Sequence, residues 1–205
     1  MNDMRGAKPW AAVTLVASLL LAGCLAPPRG EGMKTFSLEA EFPPPASRKG
    51  PVVLVAPPRA RAGYETAGMV YARTREELAQ FARHRWVDAP ARMLAPLIVE
   101  ALDASGAFTA VVMPPSAVRP RLRLDTEVVR LRQDFTQLPS RVEFILRAQL
   151  TDLGSGEILG TRTFAASVQS TADDPVHGVQ AANRAVQAVL EEVATWAAQL
   201  AARAL

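Results

Sequence analysis

The chain has 205 residues, of which 49% are hydrophobic and 21% are charged, and its formal net charge is +3. This length suffices for a hydrophobic core that is stable without covalent cross-links. The single cysteine, Cys24, excludes an intrachain disulfide. A net positive charge this small gives no reason to expect nucleic acid as a partner.

The first residues of the chain have the three parts of a bacterial secretion signal. Arg5 and Lys8 supply a positive start, and an apolar run begins at Trp10. The run closes on Leu21-Ala22-Gly23-Cys24, which resembles a lipobox, the site where a lipoprotein precursor is lipidated and cut. The stretch from Trp10 to the cysteine is shorter than the roughly 20 apolar residues of a membrane-spanning helix.

We therefore predict that residues 1–23 are a cleaved lipoprotein signal peptide. Cys24 would be the lipid attachment site, carrying a diacylglycerol thioether and acyl chains such as palmitate, and residues 24–33 would form a Pro/Gly-rich tether. Two or more chains make such an anchor stable. Leu25 follows the cysteine, where an aspartate would favour inner-membrane retention. We expect the periplasmic face of the outer membrane, with inner-membrane anchoring as the weaker alternative.

Short strands and proline-rich connections alternate in the first half of the predicted domain. Strands are expected at residues 35–40, 52–56 and 69–72, the second of them buried on both faces, whereas 77–86 is ambiguous between strand and helix. Asp88 is the expected cap of a helix whose first turn contains Pro90. Pro96 should kink or delay this helix and Gly106 should end it, before another strand at 108–113.

The second half has the clearest periodicity. Alternating apolar residues predict strands from Leu122 onward, at 142–150 and at 158–168, with a bulge at Val128-Val129 and a tight turn at 152–156. These three strands should form an antiparallel meander with one buried face. Asp174 and Pro175 then begin a long amphipathic helix to about residue 202, which should lie across the apolar face of the sheet.

These elements predict an α/β (α+β) fold in a single domain over residues 34–205. The domain would have an antiparallel-rich mixed sheet with two main helices packed on it, after the signal peptide.

No constellation of catalytic residues occurs in the sequence. His84 and His177 are far apart, Gly154-Ser155-Gly156 reads as a turn, and the Asp173-Asp174 pair is placed for helix capping. Cys24 is assigned to the lipid, so a metal site lacks ligands. We predict a protein that is not an enzyme and has no cofactor or metal.

Candidate partner contacts come from aromatic and arginine side chains. Five arginines lie along one predicted strand: Arg119, Arg121, Arg123, Arg130 and Arg132. They form either a solvated face that also contains the acidic residues Asp125 and Glu127 or a docking face for a protein or anionic headgroups. Tyr71 and Trp86, with His84 and Arg85, suit either a core or a contact role. The candidate contacts are Tyr71, Trp86, Arg121 and Arg123.

Three stretches stand out in order: MKTFSLEA, the proline-bounded PVVLVAPPRA, and the block GMVYARTREELAQFARHRWVDAPARMLAPLIVEALDASGAF. Together they resemble the ABC-type transport auxiliary lipoproteins, a PqiC-like family. A polar-alternating Leu-Arg-Leu-Asp strand, an alanine-rich last helix and the lipobox complete the resemblance, which covers about residues 35–200.

The resemblance implies an outer-membrane lipoprotein subunit of an MCE-type ABC lipid transport system. Its implied partners are an MCE-domain protein that spans the periplasm and the inner-membrane permease and ATPase. The subunit would dock the far end of the MCE component and support envelope integrity, and a homo-oligomeric ring is an expectation from the family setting. A periplasmic lipid-binding carrier and an envelope-stability lipoprotein without a transport role remain open alternatives.

Overall fold

The computed structural model describes residues 32–204 of the chain, and its elements are numbered here in chain order. The strands are β1 (Lys34–Phe36), β2 (Val52–Val55), β3 (Arg59–Ala60), β4 (Gly68–Ala72), β5 (Ala79–Trp86), β6 (Ala110–Val112), β7 (Leu122–Asp134), β8 (Arg141–Asp152) and β9 (Ile158–Gln169). The helices are α1 (Pro90–Ala104) and α2 (Pro175–Arg203). Neither helix in residues 32–204 is long and apolar enough to cross a bilayer.

Strand β7 organises the sheet because it has neighbours along both edges. On one edge it pairs with β8 in antiparallel register from Leu122↔Asp152 to Asp134↔Arg141. On the other edge three short parallel strands succeed one another: β2 at the start of β7, β3 at its middle and β4 at its end. Strand β7 thus joins the long antiparallel strands of the second half of the chain to the short strands of the first half.

The two lateral margins of the sheet differ. Strand β9 pairs with β8 and completes the predicted β7–β8–β9 meander. At the opposite side β4 and β5 form an antiparallel pair, with β1 parallel to the outer edge of β5. Strand β6 pairs in parallel with β2. The result is the predicted single domain with two helices and a mixed, antiparallel-rich sheet.

Alternation along β7 and β8 assigns one face of the sheet to the core. Leu122, Leu124, Phe144 and Leu146 are fully buried, whereas their neighbours in sequence are half-buried or exposed. The register of β7 shifts between Val128 and Arg130, so the predicted bulge is confirmed. Beyond it the apolar phase continues on the same face, and α2 packs against that face of β8 and β9.

One of the two predicted helix caps is confirmed and the other is wrong. The Asp174 carboxylate accepts bonds from the backbone N–H groups of Val176 (2.9 Å) and His177 (3.0 Å) at the start of α2. At α1 the N-cap is Ala89, which makes no side-chain cap. Asp88 lies one residue earlier, where it accepts from the Ala89 N–H and pairs with Arg92.

Other expectations need correction. Helix α1 begins at Pro90 and continues through Pro96, so this proline does not delay it. The segment predicted as strand 35–40 is a strand only over β1. The ambiguous segment 77–86 contains β5, while β3 was not predicted at all. In β2, Val53 and Val55 are fully buried, but Val52 and Leu54 are half-buried, so this strand is buried on one face.

Candidate functional site

The predicted lipid attachment site, Cys24, lies outside the described residues, as do the signal peptide and most of the tether. The four candidate partner contacts are all described. The structure separates them: Arg121 and Arg123 lie on β7 or next to it, whereas Tyr71 and Trp86 lie in the β4–β5 pair.

Arg121 and Arg123 are engaged with their own chain. The Arg121 guanidinium donates to the Asp152 carboxylate at 3.3 Å and to the backbone oxygen of Ala204 at 2.6 Å, which ties the end of α2 to the sheet. Arg123 binds Asp125 through two hydrogen bonds of 2.8 Å. These two arginines of the predicted docking face are thus paired with carboxylates of their own chain, which leaves little unbalanced positive charge to attract an anion.

Further along β7 the same face holds a buried ionic cluster. Arg132, 8% exposed, donates to Glu143 at 3.0 Å and to Asp134 at 3.4 Å, and Arg130 also binds Glu143. Tyr64, from the β3–β4 connection, lies near both arginines, and burial raises the pKa of its hydroxyl while their charges oppose that shift. The cluster fixes this connection against the sheet, which is a structural role.

Trp86 is 4% exposed and belongs to the core, so its side chain offers almost no surface to a partner. Trp86 ends β5, whose pairing with β4 is irregular. Gly68 is opposite Arg85, but Val70 is already opposite Gln80, so β5 contains extra residues between these points. Sequence alternation alone does not reveal such a shift.

Tyr71 belongs to a group of five rings that we call the aromatic row: Phe36, His84, Phe81, Tyr71 and Phe135. All five side chains are half-buried. Successive ring centroids are 6.0, 6.1, 4.6 and 6.1 Å apart, distances at which aromatic pairs attract. The row crosses β1, β5 and β4 and ends just after β7. Sequence reasoning found Tyr71 and considered His84, but it missed the three phenylalanines, which lie in different elements.

A second feature that the sequence did not reveal is a strap, residues 37–42, which follows β1 along α2. The Glu39 N–H donates to the Asn183 side chain at 3.1 Å, and the Glu41 N–H donates to Gln187 at 2.9 Å. The Gln187 amide also donates to the Glu41 carbonyl at 2.7 Å. The strap therefore fixes the start of the domain on the long helix. The one available signal was a pair of amides four residues apart on an otherwise alanine-rich helix.

The described residues contain no cluster of His, Cys, Asp and Glu that could hold a metal ion. Both histidines have structural surroundings: His84 lies in the aromatic row, and His177 Nδ1 is 2.6 Å from the Asp174 carboxylate at the start of α2. Hydrogen bonds to this carboxylate, foremost from the His177 backbone N–H, lower the Asp174 pKa.

A small pocket lies between the β4–β5 pair and the first turns of α2. Its lining includes Met69, Phe81, Gln133 and Gly178, and its volume is about 20 Å³. This space suits one water molecule, and the buried Gln133 Oε1 beside it lacks a protein partner.

The family is decided by a match of residues 36–194 to the family model described as ABC-type transport auxiliary lipoprotein component. The chain belongs to this family. It is therefore a lipoprotein of the cell envelope and an auxiliary component of ABC transport, and the family is not a known enzyme class.

Solved structures share the fold. A DUF330-family protein from Xanthomonas campestris superposes with a TM-score of 0.76 at 21% identity, over 83% of this chain and 98% of that one. A hypothetical protein from Chlamydia trachomatis gives a TM-score of 0.52 at 10% identity, over 76% of this chain and 99% of that one. The comparison with curated proteins gives no match.

Proposed function

We propose that the protein is the outer-membrane-anchored lipoprotein subunit of an MCE-type ABC system for lipid transport between membranes. It docks the periplasm-spanning MCE-domain protein, whose other end meets the inner-membrane permease and ATPase, and so supports envelope integrity. The observation that carries this proposal is the family match over nearly the whole folded domain.

The role we propose is positional rather than catalytic. The acyl chains on Cys24 hold one end in the membrane, and the ten peptide units from Cys24 to Lys34 span at most about 35 Å. Strand β1 follows the tether directly and pairs with β5, so the tether joins the folded domain at this strand. A domain held in this way keeps a binding surface at a defined distance from the bilayer. Self-association into a ring would multiply that surface around an oligomeric partner.

The anchor has a direct test. Cys24→Ala should give a folded protein that no longer fractionates with membranes, whereas Leu25→Asp should keep lipidation and, in a host with the enterobacterial sorting rule, move the protein to the inner membrane. Membrane fractionation of the Cys24→Ala protein identical to wild type would refute the anchor.

The partner is tested by affinity capture of the host's MCE proteins with an unlipidated fragment of residues 25–205. The fragment should fold, because the core lies between Leu38 and Ala201, and a solved structure shows this fold over 83% of the chain. Capture of one MCE protein supports the proposal. Failure with all of them, using a fragment with a cooperative thermal transition, refutes the docking role.

A lipid-binding carrier receives no support from the small pocket between the β4–β5 pair and α2. At about 20 Å³ it is far smaller than the roughly 150 Å³ cavity that accommodates a benzene ring. An acyl chain would require α2 to separate from the sheet, where Val186 and Leu190 are fully buried. Native mass spectrometry of the fragment checks this point, because a carrier would retain a stoichiometric lipid.

A further inference from the structure

Strand β9 forms a long open edge of the sheet. It pairs with β8 along its inner side, and no strand within residues 32–204 pairs with its outer side. Strands β1 and β6, at the other margins of the sheet, have three residues each, whereas β9 has 12. A long open edge can bind another strand, because its outward backbone groups lack partners. The outer edge of β9 is therefore a candidate binding surface.

The register shows which backbone groups of β9 point outward. The Ser170 N–H, just after the strand, donates to the Ser140 carbonyl at 2.8 Å, and the pairing with β8 is regular over residues 160–169. Because the backbone groups of successive residues in an antiparallel strand point to opposite sides, even-numbered residues here bond to β8 and odd-numbered residues point outward. The outward residues are Thr161, Thr163, Ala165, Ser167 and Gln169.

One outward group is occupied by the domain itself. The Arg184 side chain, on α2, donates to the Gln169 carbonyl at 3.2 Å, which agrees with the outward direction of the odd-numbered residues. No other bond to the outward backbone groups comes from residues 32–204. The open stretch therefore covers residues 161–168.

The side chains along this edge lack the features that block strand addition. All five outward residues are exposed and uncharged. The one charged residue of β9, Arg162, lies on the α2 face, with its guanidinium over the Phe164 ring at 4.8 Å and 3.7 Å from the Glu192 carboxylate. Strand β9 contains no proline, and its irregular pairing with β8 is confined to residues 158–160. Charge, proline and bulges, the usual protections of an edge, are thus absent from the outward side of the open stretch.

We propose that the outer edge of β9 binds the same edge of a second copy of this chain, in antiparallel pairing about a two-fold axis at Ala165. In this register Ala165 faces itself, Thr163 faces Ser167 of the second copy, and Thr161 faces Gln169 of the second copy. Small and uncharged side chains meet, and hydroxyl groups lie opposite hydroxyl or amide groups. A two-fold contact requires a self-complementary patch, and the outward residues of β9 meet that requirement.

The strength of the contact follows from its size. The pairs at Ala165 and at Thr163 with Ser167 supply about six backbone hydrogen bonds. Such an edge contact is small beside the roughly 1,200–2,000 Å² buried in stable complexes. We expect a dissociation constant of about 10–100 μM for the unlipidated fragment 25–205. The pairing is closed, so a ring would need another interface, and the inference rests neither on the lipid anchor nor on the MCE partner.

The first test is sedimentation velocity of the fragment 25–205, which should change from monomer to dimer between about 1 μM and 1 mM. Ala165→Lys places like charges opposite each other at the axis and should raise the dissociation constant at least about tenfold. Its side chain is exposed and its backbone N–H points outward, so the substitution should spare the fold. The matched control Ser155→Lys adds the same charge in the β8–β9 turn and should stay within about twofold of wild type.

The second test locates the contact by cross-linking. The fragment lacks Cys24 and so has no native cysteine, which leaves Ala165→Cys with a single thiol. Residues opposite each other in this register lie about 5.5 Å apart at Cα, so a short bismaleimide should link two copies of Ala165→Cys. Glu100→Cys, at an exposed position on α1, is the control and should not be linked.

A fragment that stays monomeric at about 1 mM would overturn the proposal. Equal dimerisation of Ala165→Lys and Ser155→Lys, or equal linking of the two cysteine variants, would do the same. Capture of an MCE protein by a monomeric fragment, lost in Ala165→Lys, would give the edge to that partner instead of a second copy. Dimerisation without MCE capture would remove the proposed docking role and keep this edge, so the two failures are distinguishable.

Discussion

The strap is held on α2 by side chains whose removal should be visible at individual amides. Asn183→Ala removes one hydrogen bond to the strap, at the Glu39 N–H, whereas Gln187→Ala removes two, at the N–H and the carbonyl of Glu41, together with an exposed bond to Glu191 within α2. Each bond contributes about 0.5–1.5 kcal/mol. Alanine also favours the helix over asparagine or glutamine by up to about 0.7 kcal/mol. Global stability should therefore change little in Asn183→Ala and should fall by about 1–2 kcal/mol in Gln187→Ala.

Hydrogen exchange measures the local effect directly. Asn183→Ala should speed exchange of the Glu39 amide about 2- to 10-fold, the equivalent of one lost bond, and leave Glu41 within about twofold of wild type. Gln187→Ala should show the reverse pattern. Thr195→Ala, at an exposed position further along α2, is the control and should affect neither amide. Equal protection of both amides in all three variants would show that Leu38 and its core contacts hold the strap without the amides, and would refute the reasoning.

Three further predictions concern stability. Arg132→Ala should cost about 2–3 kcal/mol because it removes the arginine bonded to the buried Asp134 and leaves Glu143 with Arg130 alone. Arg123→Ala on the same strand should cost at most about 1 kcal/mol, and urea unfolding measures both. Similar losses in the two variants would contradict the buried cluster. Asp174→Ala should cost about 1 kcal/mol through loss of the α2 cap, seen as a thermal midpoint lower by about 2–4 °C. The lowered pKa of Asp174 stabilises the fold above its unfolded value of 3.8, and this contribution is lost as pH falls through the folded pKa. Asp174→Asn should thus lose less stability than wild type on acidification below 3.8, and an identical acid profile would count against the cap.

Much of the fold was predictable because its cause is local. The β7–β8–β9 strands alternate over a dozen residues each, and the turn at Asp152–Gly156 joins two of them directly. The start of α2 follows from Asp174 and Pro175, a cap and a first-turn residue that act within one helical turn. The family resemblance also rested on residues in sequence order, and the family match confirms it.

The roles of individual side chains could not be predicted from the sequence in this way. The prediction for Asp88 missed the true N-cap by one residue, because capping depends on the backbone angle at Ala89 rather than on residue type alone. Trp86 was left open between core and contact, and its burial in the tertiary structure decided for the core. The arginines of β7 were recognised, but their neutralisation depends on partners such as Glu143 across the sheet.

The sequence by itself determined the meander and the long capped helix, and it predicts an export signal with a lipid site at Cys24, since each of these depends on residues close together in the chain. Only the tertiary structure decided that Phe36, Phe81, Tyr71 and Phe135 form one row and that Asn183 and Gln187 bind a strap more than 140 positions away. Contacts of that separation depend on strand order and register. Local periodicity reports which face of an element is apolar, but not which element will cover it.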